Sequence, residues 1–205
     1  GAVMGSKKLK AVVARGGDYK IRPVDPDRFK KVKQRATQYI NQNAITADRY
    51  RNFGTSANVR PCLEAQILPV NNFQDGWHPK GDQVSGETMA ANHQTKHHTC
   101  KPCTILCGHR GLFKGNRMAV PEYETVGLLG TSLGIFDPEL IAQWNDICNR
   151  LGLDTISAGG TLAWIMEATT KGLVQSKLRF GSSNGINQIL KDIASRQGFA
   201  EEIAN

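Results

Sequence analysis

The chain has 205 residues, 40% of them hydrophobic and 21% charged, and its formal net charge is +8 at pH 7. This composition supports a packed core and excludes an intrinsically disordered chain, which would hold fewer apolar residues and more charge. No apolar run approaches the ~20 residues that a membrane-spanning helix needs, so the sequence predicts no membrane segment. The positive charge fits an anionic cofactor, an acidic protein partner or a nucleic acid.

The N-terminal region predicts one short strand followed by helices. Residues 9–14, Leu-Lys-Ala-Val-Val-Ala, are typical of a strand. Asp25 before Pro26 predicts a helix that runs to about Asn43, because aspartate caps helix starts and proline is favoured at the first helical position. A second helical stretch is predicted near residues 46–53.

The helix predicted after Asp25 has an apolar side and a strongly basic side. A solvated surface is the simplest interpretation of a basic face opposite an apolar stripe. The apolar positions are Phe29, Val32, Ala36, Tyr39 and Ile40, and the basic positions are Arg28, Lys30, Lys31, Lys33 and Arg35.

Residues 54–99 predict a long irregular segment, because glycine, proline and asparagine interrupt them repeatedly and no periodicity is sustained. A short helix is predicted around residues 85–92. A loop of this length is usually functional or packed against another part of the protein.

From residue 120 onwards the sequence predicts mainly helices, each closed by a glycine. Asp137 caps the first, and a further element starts within residues 199–205. The predicted helices are 138–151 before Gly152, 160–171 before Gly172, and 183–197 before Gly198. The fold class is therefore mainly α: a multihelical domain with long irregular loops and a short β segment at the N-terminus.

The strongest chemical signal is Cys100-Lys-Pro-Cys103-Thr-Ile-Leu-Cys107. Thiolates are soft ligands, and three clustered cysteines with a remote fourth ligand are a common iron–sulfur arrangement. The chain has five cysteines, an odd number that suits disulfides poorly and favours a metal site in a reducing compartment. We therefore predict an iron–sulfur site and a cytoplasmic protein.

Several alternatives remain at this stage. A zinc ion bound by the cysteines and by His97, His98 or His109 is one, and three buried thiols without metal are another. Cys62 and Cys148 are candidates for the fourth ligand, although Cys148 falls on an apolar helical stripe that favours the core. A zinc-stabilised nucleic-acid binder is disfavoured, because no recognition helix accompanies the cysteines.

Four segments, in this order, resemble the aldehyde:ferredoxin oxidoreductase family. They are residues 1–11, the cysteine cluster, Pro121-Glu-Tyr-Glu-Thr125 and Leu151-Gly-Leu-Asp-Thr-Ile-Ser157. The resemblance implies a β-rich N-terminal domain followed by two helical domains. Residues 1–20 would then end the first domain, and residues 21–205 would form the middle helical domain, truncated at its C-terminal end.

The same resemblance implies the chemistry of the parent enzyme. It would oxidise an aldehyde to a carboxylic acid on a tungsten or molybdenum bis-pterin and send electrons through a [4Fe–4S] cluster to ferredoxin. It requires the remaining domains of the parent enzyme as partners, and the apolar face on which they would dock makes a homodimer of the isolated chain an expectation. The isolated chain is expected to be inactive, or to form a non-catalytic iron–sulfur or zinc-binding helical module, and no nucleic-acid partner is expected.

Individual positions carry over from the family pattern. Cys100, Cys103 and Cys107 match its three clustered cluster ligands, and Ala2 falls where its backbone approaches the metal that bridges the pterin phosphates. Tyr123 and Glu124 match an active-site pair in which the glutamate handles a proton.

Glu124 precedes the apolar stretch 126–129, where burial would raise its pKa toward neutrality. An ordinary helix-start glutamate is the alternative, and Tyr123 could equally be a core residue.

Residues 149–154, Asn-Arg-Leu-Gly-Leu-Asp, match a pterin-binding motif of the family. Its positions here are Asn149, Gly152, Leu153 and Asp154. Asn149 stands where the motif has aspartate, so it offers a carbonyl acceptor without a charge. Asp154 matches the last motif position, and a plain helix cap is its alternative interpretation.

Overall fold

The computed structural model describes residues 2–16 and 22–203, and these form a mainly α fold. Within them lie ten α-helices and one three-stranded antiparallel sheet. The helices are α1 Ala2–Ser6, α2 Pro26–Gln42, α3 Arg51–Phe53, α4 Val59–Glu64, α5 Gly86–Asn92, α6 Tyr123–Leu129, α7 Pro138–Leu151, α8 Thr155–Thr170, α9 Ile186–Ser195 and α10 Phe199–Ile203. The strands are β1 Lys96–His97, β2 His109–Phe113 and β3 Asn116–Ala119. The mainly α prediction is confirmed.

Two helices begin and end where the sequence predicts. Asp25 accepts the Arg28 backbone N–H at 2.9 Å and caps α2, which ends one residue before Asn43. Asp137 accepts the Glu139 N–H at 2.8 Å and caps α7, and Gly152 ends α7 at φ +73°. Both boundaries rest on contacts between near neighbours in the chain, which is why the sequence reveals them.

The start of the next helix was predicted too late. α8 begins at Thr155 rather than at residue 160, because the Asp154 carboxylate accepts the Ser157 N–H at 2.7 Å and caps the helix there. α9 is shorter than the predicted 183–197 segment. The short helix near 85–92 and the helical stretch near 46–53 are confirmed, the latter as a wide helical turn over 45–50 that continues into α3.

The predicted strand at residues 9–14 is wrong. These residues lie in an exposed, irregular segment after α1, since no described strand pairs with them and a lone strand leaves its backbone groups unpaired. The proposed domain boundary between residues 20 and 21 lies outside the described residues.

The sheet sits at 96–119 instead, where the sequence analysis predicted no strand. β2 and β3 are joined by the two-residue turn Lys114–Gly115, with φ values of +45° and +74°. Two left-handed residues in succession give the turn that matches the twist of a hairpin, so Lys-Gly was the local signal. α4 was also missed, inside the segment predicted to be irregular.

The core is built around α6, α7 and α8. Completely buried side chains from α7 and α8 include Ile141, Leu162, Ile165 and Met166. Cys148 is also completely buried, and burial raises the pKa of its thiol to about 11. Its predicted place in the core is therefore confirmed. Among the described helices, none is long and apolar enough to cross a membrane.

α6 and α8 touch backbone to backbone at Gly159. A Cβ atom built on Gly159 would lie 2.4 Å from both the carbonyl carbon and the oxygen of Leu128, closer than real Cβ atoms approach. The neighbouring Gly160 has nothing within 4 Å of its Cβ position. A residue without a side chain is therefore required at 159 but not at 160.

We expect Gly159→Ala to lower the free energy of unfolding by about 1–3 kcal/mol, because overpacking must push α6 and α8 apart. Gly160→Ala is the matched control on the same helix, and it should be neutral or stabilising by up to about 1 kcal/mol, since alanine favours helix. Urea unfolding of both variants measures the difference. Equal effects of the two substitutions would contradict the close helix contact.

Candidate functional site

The first turns of α6 and α8 lie side by side. The hydroxyl oxygens of Thr125 and Thr155 are 2.8 Å apart and share a hydrogen bond. Tyr123 and Glu124 directly precede Thr125 in the chain, and Asp154 directly precedes Thr155. The structure therefore brings the Tyr–Glu pair and the last residue of the 149–154 motif to one edge of the helix pair.

Tyr123 is half-buried and fixed at both ends. Its backbone N–H donates to the Thr55 hydroxyl oxygen at 3.0 Å, and its phenolic hydroxyl donates to Cys62 Sγ at 3.1 Å. Burial, followed by the hydrogen bond with Cys62, raises the pKa of the phenol. The hydroxyl thus remains a hydrogen-bond donor at neutral pH.

Glu124 is exposed in the first turn of α6, whereas the residues that follow it are buried. The prediction that Glu124 is buried, made from its position before 126–129, is therefore wrong. The apolar side chains that follow it occupy the face of α6 that packs on α8. Glu124 remains a surface carboxylate at the edge where the two helix starts meet.

Residues 149–154 form the corner between α7 and α8. Asn149 and Asp154 are exposed, and Leu153 is half-buried with its N–H donating to the Cys148 carbonyl at 2.9 Å. Gly152 adopts the left-handed conformation but has open space at its Cβ position. The backbone turn, rather than crowding, is therefore the reason for glycine here.

The Ser157 backbone N–H holds the pKa of the Asp154 carboxyl below its usual range. Asp154 is thus ionised at neutral pH and already serves as a helix cap. The alternative interpretation made from the sequence is confirmed, and a further contact to a ligand is compatible with it, because a carboxylate accepts several hydrogen bonds.

The three clustered cysteines lie on the loop that joins β1 to β2. Cys100 is exposed, and Cys103 and Cys107 are half-buried. Leu106 and Ile105 direct backbone N–H groups at the Cys103 sulfur and lower the pKa of its thiol, with the larger effect from Leu106.

In Cys107, burial and then the negative charge of Glu122 raise the pKa of the thiol. Hydrogen bonds to sulfur tune bound clusters. Three thiols on one loop are the donor type that an iron–sulfur cluster uses.

Three side chains tether this loop through its carbonyl groups. Arg51 Nη2 donates to the Thr104 oxygen at 2.9 Å, and His97 Nδ1 lies 3.2 Å from the Leu106 oxygen. His109 bridges the loop to α3, with Nδ1 2.7 Å from the Cys107 oxygen and Nε2 3.0 Å from the Arg51 oxygen. These tethers leave no signal in the sequence, because their partners lie up to 58 residues apart.

The hydrogen-bond partners of His109 disfavour it as a zinc ligand. Both ring nitrogens of His109 face carbonyl oxygens, so neither is free to bind a metal ion. Across residues 2–16 and 22–203, no three His, Cys, Asp or Glu side chains converge closely enough to hold a single ion. The zinc alternative that uses His109 is therefore disfavoured, and the alternatives that use His97 or His98 stay open.

Neither remaining cysteine is grouped with the loop thiols. Cys62 accepts the Tyr123 hydroxyl, and Cys148 is enclosed in the core. Ala2 begins α1, and its side chain lies outside the described residues, so the role suggested for it stays a prediction.

A cavity of about 560 Å³ separates the cysteine loop from α2. Cys100, Pro102 and Cys103 line one side, and Lys33 and Ile40 of α2 lie on the other. The thiols therefore border an open space with a basic residue at its wall.

Comparisons with known proteins point to one family. The sequence profile described as aldehyde ferredoxin oxidoreductase, domains 2 and 3, matches residues 31–205. The chain is 36% identical over 218 residues to a tungsten-containing aldehyde ferredoxin oxidoreductase of Pyrococcus furiosus, and 33% identical over 217 residues to one of Thermococcus kodakarensis. An aliphatic sulfonate oxidoreductase, WOR-like subunit, of Pyrococcus furiosus is 26% identical. Each match covers 100% of this chain but only 34–35% of the relative, so the chain spans about a third of their length.

Asp154→Ala should lower the free energy of unfolding by about 1 kcal/mol at neutral pH, because the first turn of α8 loses its cap. The pKa of Asp154 is lowered in the folded chain. Its contribution is therefore complete above the unfolded value of about 3.9 and is lost as the pH falls through the lower folded value.

Asp154→Asn is the matched control, since it keeps a capping oxygen without the titrating carboxyl. Chemical unfolding of the three proteins from pH 7 down to pH 2 tests this expectation. A stability gap between wild type and Asp154→Ala that stays constant over the whole range would contradict it.

Proposed function

Because the chain belongs to the aldehyde ferredoxin oxidoreductase family, we propose that it is part of an enzyme that oxidises aldehydes to carboxylic acids. This part of the enzyme would accept a proton during the reaction and pass the electrons out of the active site. The electrons would leave through a [4Fe–4S] cluster to ferredoxin. The parent enzyme would hold a tungsten bis-pterin, in keeping with the names of its relatives, with molybdenum as the alternative metal.

One observation supports this proposal above the others: three segments that lie far apart in the sequence meet at the start of α6. A Cβ atom built on Gly54 would lie 3.1 Å from the Cys107 carbonyl oxygen, and the next residue, Thr55, accepts the Tyr123 N–H at 3.0 Å. Thr125, one residue after Glu124, bonds to Thr155 beside Asp154. The Tyr–Glu pair therefore lies between the cysteine loop and the 149–154 motif, as a path from substrate to cluster would require.

The reaction combines an aldehyde with water and releases a carboxylic acid, two protons and two electrons. When bound, the metal–pterin group would supply the two-electron oxidation, and a cluster held by the loop cysteines would supply the one-electron transfer. Glu124 would accept a proton from the reacting water, and its exposure in the described chain leaves it accessible to substrate. The raised pKa of Tyr123 keeps its hydroxyl protonated beside that site.

The 149–154 corner would hold one pterin. Asp154 is ionised and can accept N–H groups from the pterin ring while capping α8. Asn149 can accept through its carbonyl oxygen, and Gly152 and Leu153 set the turn between the two. Ala2, at the start of α1, would contact the pterin group through its backbone.

The clustered cysteines would supply three cluster ligands. The fourth would come from the remaining domains of the parent enzyme, because Cys62 accepts the Tyr123 hydroxyl and Cys148 is enclosed in the core. Free thiols and an iron–sulfur cluster suit a reducing cytoplasm. Exposed Trp164 and Leu173 are candidates for burial against those domains or against a second copy in a homodimer.

A second candidate function applies to the chain on its own. Since it spans only 35% of the length of its relatives, the isolated chain would be a non-catalytic helical module that binds iron–sulfur or zinc. Metal content and activity together separate the two candidates.

Anaerobic reconstitution of the chain with iron and sulfide should give about four irons and four acid-labile sulfides per chain. Cys103→Ser should abolish this binding, because it removes the thiol toward which two backbone N–H groups point. Cys148→Ala is the control, since that thiol is buried away from the loop, and it should retain the cluster. One zinc and no sulfide per wild-type chain would contradict the cluster assignment.

In the full-length enzyme, Glu124→Gln should lower kcat for aldehyde oxidation by about 10²–10⁴-fold, since the amide cannot accept the proton. Tungsten and iron contents should be unchanged. Glu64→Gln, at the exposed end of α4, is the control and should leave kcat unaltered. Steady-state kinetics with benzyl viologen as acceptor make the comparison, and a Glu124→Gln enzyme with wild-type kcat would refute the role.

A further inference from the structure

We propose that the outer face of α2 is the docking surface for the acidic electron carrier served by the cysteine loop. The proposal rests on the proposed function only in taking that loop as the point where electrons leave. The partner that we assign to α2 is a small, acidic iron–sulfur protein.

α2 is the wall of the cavity that the cysteines border. Its residues Lys33, Thr37 and Ile40 line that cavity opposite Cys100 and Cys103. Thr37 and Ile40 are half-buried, and no residue of α2 is fully buried. The helix thus covers the cysteine loop on one side and is open to solvent on the other.

The side of α2 away from the cysteines is basic. Arg28, Lys31 and Arg35 recur at intervals of three and four, so they form one ridge on the helix. At 3.6 residues per turn this ridge lies about half a turn from Lys33, Thr37 and Ile40. It therefore faces outward while the other three face the loop.

The charge of α2 is not neutralised within the described part of the chain. The helix carries five cations, Arg28, Lys30, Lys31, Lys33 and Arg35, against one carboxylate, Asp27. None of the five takes part in the ion pairs of the described residues. An uncompensated stripe of one sign attracts and orients a partner of the opposite sign.

Apolar contact area lies beside the ridge. Phe29 is 54% exposed and Tyr39 is 57% exposed. The Arg35 guanidinium lies 5.4 Å from the centre of the Tyr39 ring and donates to its hydroxyl at 2.8 Å. Exposed aromatic and arginine side chains are typical of protein interfaces rather than of a surface that contacts only water.

The location favours a redox protein over other acidic partners. An α-helix with its side chains is about 10–12 Å across, so a carrier seated on the ridge would lie one helix diameter and the width of the intervening cavity from the cysteine loop. A nucleic acid would gain nothing from that proximity.

The test uses the full-length tungsten enzyme with two charge reversals on the ridge, Arg28→Glu and Lys31→Glu. The matched control is Lys177→Glu with Lys191→Glu, two exposed lysines outside α2 that give the same change in net charge. Calorimetry measures the Kd for an acidic [4Fe–4S] ferredoxin. Aldehyde oxidation is followed with that ferredoxin and separately with benzyl viologen.

The ridge variant should bind ferredoxin about tenfold more weakly at low salt, and the control should bind it nearly as the wild type does. The difference should disappear near 1 M salt, where charges are screened within about 3 Å. Activity with benzyl viologen should match that of the wild type in both variants. Equal losses of ferredoxin affinity in the two variants would overturn the proposal.

Two further outcomes would also overturn it. Loss of tungsten content or of viologen activity in the ridge variant would mean that another domain of the enzyme covers α2. Binding of a short DNA duplex as tightly as ferredoxin would assign the ridge to nucleic acid. A separate result would contradict the proposed function alone. In it, the wild-type enzyme would not oxidise aldehydes with viologen but would still bind ferredoxin through the ridge, so that only the docking surface would be supported.

Discussion

The backbone contact between α6 and α8 is the constraint on which the rest of the site depends. Gly159 lets the two helices approach until the Leu128 backbone occupies the space where a side chain would stand. Only at that separation can the hydroxyls of Thr125 and Thr155 meet at 2.8 Å. The contact therefore sets the position of Glu124 relative to Asp154, although neither residue takes part in it.

The start of α6 is held equally firmly from its other side. The Thr55 hydroxyl donates to the Glu122 carboxylate. The oxygen of that hydroxyl also accepts the Tyr123 backbone N–H at 3.0 Å. Glu122 in turn lies close enough to Cys107 for its charge to raise the pKa of that thiol. The cysteine loop and the Tyr–Glu pair are thus parts of one connected surface. A shift in the residues before α6 would displace both of them.

Local chemistry was readable from the sequence, and long-range packing was not. Asp25 and Asp137 predicted helix starts correctly, because a cap and its partner lie within three residues. The strand at 9–14 and the burial of Glu124 were wrong, since both depend on which neighbours pack against a segment. The tether from His109 to Arg51 spans 58 residues and had no local signal. The cysteine spacing and the 149–154 motif predicted a cluster and a pterin site, which stay predictions, and neither showed that α6 lies between them.

We propose that the start of α6 lies between two metal centres of the parent enzyme. Anomalous diffraction at the tungsten and iron absorption edges, from crystals of the full-length enzyme, tests it most directly. We predict one tungsten peak on the side of Glu124 and Asp154, and a separate iron peak bounded by Cys100, Cys103 and Cys107. A tungsten peak remote from both helix starts, or a zinc peak at the cysteines, would contradict the account.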